Sequence, residues 1–373
     1  MIKVFDAGNV WVVKVGSSLL TSPLGLAVKR VTQWVEDIVY LKKQGIKVVL
    51  VSSGAVAEGM GRLGLSERPE SVHLLQAAAA VGQMGLIQLY ESNFMRHSLH
   101  TAQILLTHDD LRSRERYLNA RVTLKTLIDM NVVPIVNEND TVVTDEIRFG
   151  DNDNLAALVA NLIEANTLIL LTDQDGLFDR DPRLGNAHLV DSAMASDPKL
   201  KTMAGPGTDI GQGGMITKIQ AAQVASRSGA NTVITSGHGK NVLRNIAKGR
   251  LSGTCLKADK PVLASRKQWL ATLVPQGQVI LDTGAVKVLK SKGRSLLPVG
   301  VRSVIGQFTR GDMVSCLDEN GSEIARGLIN YSDEESRLII GKSSSTIESL
   351  SLIHISEPTR RRGISYAVFC MKK

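Results

Sequence analysis

Residues 10–20, VWVVKVGSSLL, form a continuous apolar run that Lys14 alone interrupts before Gly16, Ser17 and Ser18 open a turn. Apolar residues on both faces, with no alternation, mark a strand buried in a parallel sheet. The chain around it repeats that pattern. A helix follows, with Val28, Val31, Val35, Ile38 and Val39 on one face and Gly45 as its stop. KVVLV at 47–51 is a second buried strand, running into Ser52, Ser53 and Gly54. Further on, the pattern predicts a helix over 72–97, a strand at 101–107, a helix at 114–130 and a strand at 132–137. A hairpin-like stretch at 140–150 leads to a helix at 154–165 and a strand at 167–172. A glycine-rich loop at 205–214, a helix at 215–229 and a strand at 232–236 follow. This alternation implies an α/β fold, a mostly parallel sheet between two helix layers (three-layer αβα).

The texture changes near residue 260. Short strands are expected at 279–281, 299–305, 313–317, 323–329 and 337–341, with turn signals at Gly293, Pro298, Gly306, Glu319–Gly321 and Gly327. That spacing implies a small C-terminal β-barrel. The expected domains are 1–259 and 260–350, followed by a basic tail at 351–373 that continues neither pattern.

Composition agrees with two domains. The chain has 373 residues, 43% of them apolar and 21% charged, so a sizeable core is available and disorder is excluded. Aromatics are only 4%, so that core is aliphatic. No uninterrupted apolar run reaches the length of a membrane span, and the first residues lack the layout of a secretory signal. Cys255, Cys316 and Cys370 lie far apart without a CxxC, which argues against a disulfide framework or zinc site and for reduced, cytoplasmic thiols. The net charge of +8 is uneven. Residues 1–259 hold 27 basic and 26 acidic side chains, 260–350 hold 12 and 9, and 351–373 hold 5 and 1. A nucleic-acid-binding main body would carry a basic stripe, and this one is nearly neutral.

Gly59, Gly61 and Gly64 match GxGxxG, but seven residues separate the first glycine from its strand. The dinucleotide fingerprint needs the glycine in the strand-to-helix turn itself, so this stretch reads as a flexible surface loop. No GxxxxGK[ST] occurs, so a nucleotide site here is not a P-loop. Four other places look chemical. Lys14, with Gly16 and Ser17 after it, is either a lysine snorkelling at the sheet edge or a buried cation awaiting an anion. Ser52 and Ser53 end the next strand, where open α/β sheets bind ligands, although a serine there also caps a helix. Asn137–Asp140 (NEND) and Gly150–Asn154 (GDNDN) offer acceptors for an ammonium and donors for a carboxylate. Helix capping accounts for one or two of those residues but not for both clusters. Last, Gly211–Lys218 (GQGGMITK) puts a glycine-rich loop at a helix N-terminus, with Lys218 in the first turn. A lysine opposes the helix dipole there, so an anion is its natural reason; a plain flexible loop is the competing reading.

With these motifs the sequence resembles the amino-acid kinase family. The match is carried by KVGSS (14–18), VSSGAV (51–56), RERYLNAR (114–121), VVPIVNEND (132–140), GDNDNL (150–155), LLTDQDGL (170–177) and GGMITK (213–218). Residues 296–332 are similar to a PUA domain. The resemblance implies transfer of the γ-phosphoryl of ATP, with Mg²⁺, to the side-chain carboxylate of L-glutamate, the first step of proline biosynthesis. It assigns catalysis to Lys14, Lys218 and Asp153, and substrate binding to Ser53, Asp140, Asn152 and Asn137. It assigns ATP binding to Lys14, Gly16, Ser17, Thr172, Asp173, Gln212, Gly213, Gly214, Met215, Ile216, Thr217 and Lys218. It further implies a cytoplasmic homo-oligomer, feedback inhibition by proline and hand-off of the product to glutamyl phosphate reductase. No general base is needed, because a carboxylate of pKa about 4.3 is already deprotonated at neutral pH. Two alternatives stay open at this point. One is another kinase of the same fold, acting on acetylglutamate, aspartate or uridylate. The other is an RNA-binding protein, with the PUA-like domain as binder and catalysis lost.

Overall fold

The computed structural model describes residues 9–22, 25–142, 152–204, 214–259, 275–292, 296–342 and 368–369. The chain divides into two compact units, Met1–Ser265 and Arg266–Lys373. The expected boundary at 259/260 and the greater part of the expected 140–150 hairpin lie outside the described residues.

In the first unit β1 (Val10–Val15) is followed by a single helical turn, α1 (Ser17–Leu20), and a ribbon of β2 (Thr21–Ser22) and β3 (Gly25–Leu26). Next come α2 (Val28–Lys43), β4 (Lys47–Val51), α3 (Ala55–Leu63), α4 (Val72–Met95) and β5 (Thr101–Leu106). The chain continues through α5 (His108–Arg112), α6 (Arg114–Asp129), β6 (Val133–Glu138), α7 (Asp153–Ile163) and β7 (Thr167–Thr172). It ends with β8 (Ser192–Met194), α8 (Lys199–Met203), α9 (Met215–Ser226), β9 (Asn231–Ser236), α10 (Val242–Ala247) and β10 (Thr254–Lys257). Eight strands line up as β5-β6-β4-β1-β7-β9-β10-β8. Neighbours run parallel except β9 and β10.

Strand alternation makes the three layers. Val12 of β1 joins the cluster that includes Leu155 of α7 and Ile219 of α9, whereas Trp11, Val13 and Val15 join Ile38 of α2 and Leu86 of α4 on the other face. Lys14 has the parity of Val12, so it faces the α7 and α9 layer. Because β1 lies between β4 and β7, the order of connection reverses there, and the carboxyl ends of β4, β1 and β7 open the crevice typical of such sheets.

Three differences from the sequence reading have physical causes. Gly59 and Gly61 lie inside α3, not in a surface loop, and Gly64 ends that helix in the left-handed region at φ 69. A Cβ on Gly59 would stand 1.7 Å from the Ala78 carbonyl oxygen, and one on Gly82 would stand 1.9 Å from that of Ala55. Glycine is therefore used to bring α3 and α4 into backbone contact. Second, β8 and β10 carry too few apolar residues to register as buried strands. Third, α4 is long and apolar enough by composition to cross a membrane. Here it packs against α3 and α2 and buries Gln83 and Asn93.

The second unit holds β11 (Gly277–Leu281), α11 (Thr283–Lys292), β12 (Val301–Gly306), β13 (Met313–Leu317), β14 (Glu323–Leu328), α12 (Asp333–Ile339) and β15 (Val368–Phe369). Its five strands are ordered β12-β11-β13-β14-β15 around Val279, Leu281, Phe308, Val314 and Ile329. The strand expected at 337–341 is replaced mainly by the end of α12, which Ser332 and Glu335 open as a reciprocal capping box. Gly327, expected in a turn, lies inside β14, and α11 was not expected at all. Within the tail, Val368 and Phe369 pair antiparallel with Gly327 and Arg326.

Candidate functional site

The carboxyl edge of the sheet gathers two buried polar groups of opposite character. The first is charged. Lys14 rises from β1, Asp153 opens α7, and Lys218 lies one turn into α9. The Lys14 Nζ stands 2.5 Å from Asp153 Oδ1, and the Lys218 Nζ donates to Asp153 Oδ2 at 3.0 Å. Thr217 Oγ1 donates to the same Oδ2 at 3.1 Å. All three charges are out of water, with Lys14 5%, Lys218 7% and Asp153 0% exposed. Burial by itself would raise the Asp153 pKa, but the two lysines and their hydrogen bonds outweigh it and hold the carboxyl below its ordinary value. Two ammonium groups share one carboxylate, which leaves a surplus positive charge in a dry place. An anion is the natural complement to such a surplus.

The second group is neutral. Asn152, the residue before α7, donates from Nδ2 to the Ser52 carbonyl at 2.6 Å and to Asn137 Oδ1 at 2.7 Å. Asn137, near the end of β6, donates from Nδ2 to Gln83 Oε1 of α4 at 2.6 Å. The Ser52 hydroxyl and the Tyr90 hydroxyl of α4 lie 3.2 Å apart. Among the described residues, Ser53 Oγ and Gln83 Nε2 are buried without a hydrogen-bond partner. Buried polar atoms are rarely left so, and a ligand is one thing that would complete them.

Asp140 sits two residues beyond β6. Burial first, and then the neighbouring Glu138 carboxylate, push its pKa up to about 7 against a smaller opposing effect of Arg68. Among the described residues, no hydrogen bond joins it to Asn137 or Asn152. The remaining expected residues divide in three. Gly16 caps α1 and its N–H donates to the Leu171 carbonyl at 3.2 Å, which sets the turn after β1 beside the end of β7. At that end Thr172 is buried and donates to the exposed Asp173 at 3.0 Å, while Ser17 is exposed. Gly214, Met215, Ile216 and Thr217 form the start of α9, where the Gly214 carbonyl, 2.8 Å from Thr217 Oγ1, shares that hydroxyl's one hydrogen with Asp153. Gln212 and Gly213 lie outside the described residues.

Sequence reasoning missed Gln83, Tyr90 and the His108 bridge. His108 Nδ1 lies 3.2 Å from Glu138 Oε1, and its Nε2 lies 3.1 Å from Asn154 Nδ2. Gln83 and Tyr90 sit in an unbroken helix and meet partners 54 and 38 residues away, so no local pattern signals them. The Asn-rich clusters were the one available hint, since buried amides need partners.

Known proteins resemble this chain in sequence and in fold. The amino acid kinase family matches residues 9–236, and the PUA domain matches residues 277–350. The glutamate 5-kinase of Thioalkalivibrio sulfidiphilus is 57% identical over 352 residues, covering 93% of this chain and 94% of its own length. That of Nitrosospira multiformis is 60% identical over 351 residues, covering 93% and 94%. Among solved structures, the carbamate kinase from Giardia lamblia bound to AMP-PNP superposes with a TM-score of 0.51 at 17% identity, covering 68% of this chain and 99% of that one. At that identity the likeness speaks for the fold. The family match and these relatives show that the chain belongs to the amino acid kinase family and carries a C-terminal PUA domain.

Proposed function

We propose that the protein transfers the γ-phosphoryl group of ATP to the side-chain carboxylate of L-glutamate, giving L-glutamyl 5-phosphate, the first step of proline biosynthesis. The observation that carries this reading is the buried pair of lysines on one carboxylate at the carboxyl edge of the sheet, in a chain 57–60% identical to named glutamate 5-kinases. Phosphoryl transfer asks for positioning and for stabilisation of charge on the moving group, more than for covalent chemistry. Lys14 and Lys218 supply that charge from two different elements. Asp153 touches both ammonium groups, so its role is to aim them. The acceptor carboxylate arrives deprotonated, which is why the cluster lacks a general base.

In this reading Ser53, Asp140, Asn152 and Asn137 take the amino acid. Thr172, Asp173, Gly16, Ser17 and residues 212–218 take the nucleotide. Asp153 has both oxygens committed to lysines, and no group of three or more metal-binding side chains occurs among the described residues. Mg²⁺ would thus be held by phosphate oxygens and water, arriving with ATP, and would neutralise phosphate charge. Chemistry resides in residues 1–259, since every assigned residue lies before 219. Proline shares the α-ammonium and α-carboxylate of glutamate, so the same pocket suits it as a feedback inhibitor. The product is an acyl phosphate that water destroys, which favours hand-off to a glutamyl phosphate reductase in the cytoplasm. Homo-oligomeric assembly belongs to the same reading.

ADP release should be measured with L-glutamate, L-aspartate, N-acetyl-L-glutamate and UMP, each alone. Turnover with L-glutamate well above the other three is the expected result. Preference for N-acetylglutamate, aspartate or UMP would replace this reading by a different kinase of the family.

A further inference from the structure

We infer that Gln83 is a positioning residue that braces Asn137, and through it Asn152, for the amino-acid substrate; this rests on the glutamate reading above. The inference comes from the direction of the amide chain. A backbone carbonyl can only accept, so the Ser52 oxygen, 2.6 Å away, requires the nitrogen end of the Asn152 amide to point toward it. That nitrogen has two hydrogens, and the second goes to Asn137 Oδ1 at 2.7 Å. Asn137 then has only its nitrogen left for Gln83, and Gln83 must answer with Oε1, 2.6 Å away. Every amide in the chain has one allowed orientation. At the near end Asn152 presents its carbonyl oxygen, an acceptor. At the far end Gln83 keeps a buried Nε2 with no partner among the described residues.

An acceptor at Asn152 suits the α-ammonium of an amino acid and repels its carboxylate. Removing the Gln83 acceptor frees Asn137 to turn over, and a turned Asn137 would set its NH₂ against that of Asn152. Asn152 would then lose its second bond and be held by the Ser52 carbonyl alone. Gln83 is well held for this task. Its neighbour Gly82 lets α4 lie directly on the Ala55 carbonyl, where a Cβ would stand only 1.9 Å away, so the helix has little room to shift.

The experiment compares Gln83→Met, which keeps the shape and removes both polar atoms, with Gln83→Glu, which keeps an acceptor toward Asn137. For each variant the KM for L-glutamate, the KM for ATP and the inhibition constant of glutarate are measured. Glutarate is glutamate without the ammonium. In Gln83→Met the glutamate KM should rise about tenfold or more, as expected for a buried polar contact undone. Glutarate inhibition and the ATP KM should move by less than about threefold, because neither ligand offers an ammonium to Asn152. Gln83→Glu should recover most of the lost glutamate affinity. Equal losses for glutamate and glutarate, or an unchanged glutamate KM, would overturn the inference. If Gln83→Met does not fold, Gln83→Glu decides alone: a tenfold loss of glutamate affinity in a folded protein contradicts it. Absence of glutamate-dependent turnover in the unaltered protein is a separate result, and it would count against the glutamate reading itself.

Discussion

Two clusters occupy one edge of one sheet, and they achieve burial by opposite means. Lys14, Asp153 and Lys218 are charged, with two cations sharing one anion. Ser52, Asn152, Asn137 and Gln83 are neutral and form a chain of three hydrogen bonds that leaves the Gln83 Nε2 over at its far end. A charged cluster with surplus positive charge stores attraction for an anion and strengthens as water leaves. A neutral chain stores little attraction but fixes orientation, which is what selection among similar ligands requires. Adjacent residues Asn152 and Asp153 join the two, so one helix start serves both. The division predicts that damage to the first cluster appears in turnover and damage to the second in substrate affinity.

The largest effect should come from the charged cluster. Lys14→Ala or Lys218→Ala should lower kcat by about 10²–10³-fold, the scale of losing one preorganised charge-stabilising group. The KM for glutamate should change far less, and steady-state kinetics with both substrates varied would separate the two. A large rise in glutamate KM with kcat preserved would erase the distinction between the clusters. Asp140→Asn comes next. An ammonium that loses its charged partner should raise the glutamate KM by about 10–100-fold, the range for hydrogen bonds to charged groups. The ATP KM should stay near its original value. If ATP affinity falls instead, Asp140 belongs with the nucleotide.

A pH series sharpens the same point. Burial and Glu138 raise the Asp140 pKa to about 7, so below that pH the free protein holds a neutral carboxyl there. Only the ionised form pairs with an ammonium, so the glutamate KM should fall by about tenfold between pH 6 and pH 8. Asp140→Asn should flatten that slope. For stability the sign is opposite: the raised pKa contributes fully below about pH 4 and is lost as pH rises through 7. The smallest effect is expected from removing residues 260–373. Both clusters lie in the first unit, so a protein ending at Asp259 should keep kcat within about threefold, less than one lost contact would change it. A soluble, folded and inactive truncation would show that the PUA-bearing unit completes the site.

Much of the fold was legible because buried parallel strands announce themselves. VWVVKV, KVVLV and TLILLT need no partner to be recognised, and Lys14 stood out because it interrupts one of them. What failed was structure that depends on distant contacts. Gly59 and Gly61 weaken a helix locally, yet α3 forms, and Gly59 admits the backbone of α4 at Ala78. Residues 337–341 look like a short apolar strand, whereas the capping box at Ser332 and Glu335 makes that segment helical. Of the site, Lys14, Asp153, Lys218 and the two asparagines could be found because small motifs surround them. Gln83 could not, since its partner Asn137 is supplied by a strand on the far side of the fold's connectivity.

Trapping the product tests the central claim most directly. Acyl phosphates react with hydroxylamine to give hydroxamates, so the protein is incubated with ATP, Mg²⁺, L-glutamate and hydroxylamine. A γ-glutamyl hydroxamate whose formation requires both ATP and glutamate, matches ADP release and collapses in Lys14→Ala and Lys218→Ala is the predicted outcome. ADP release without hydroxamate, or hydroxamate formation that survives loss of both lysines, would contradict the account.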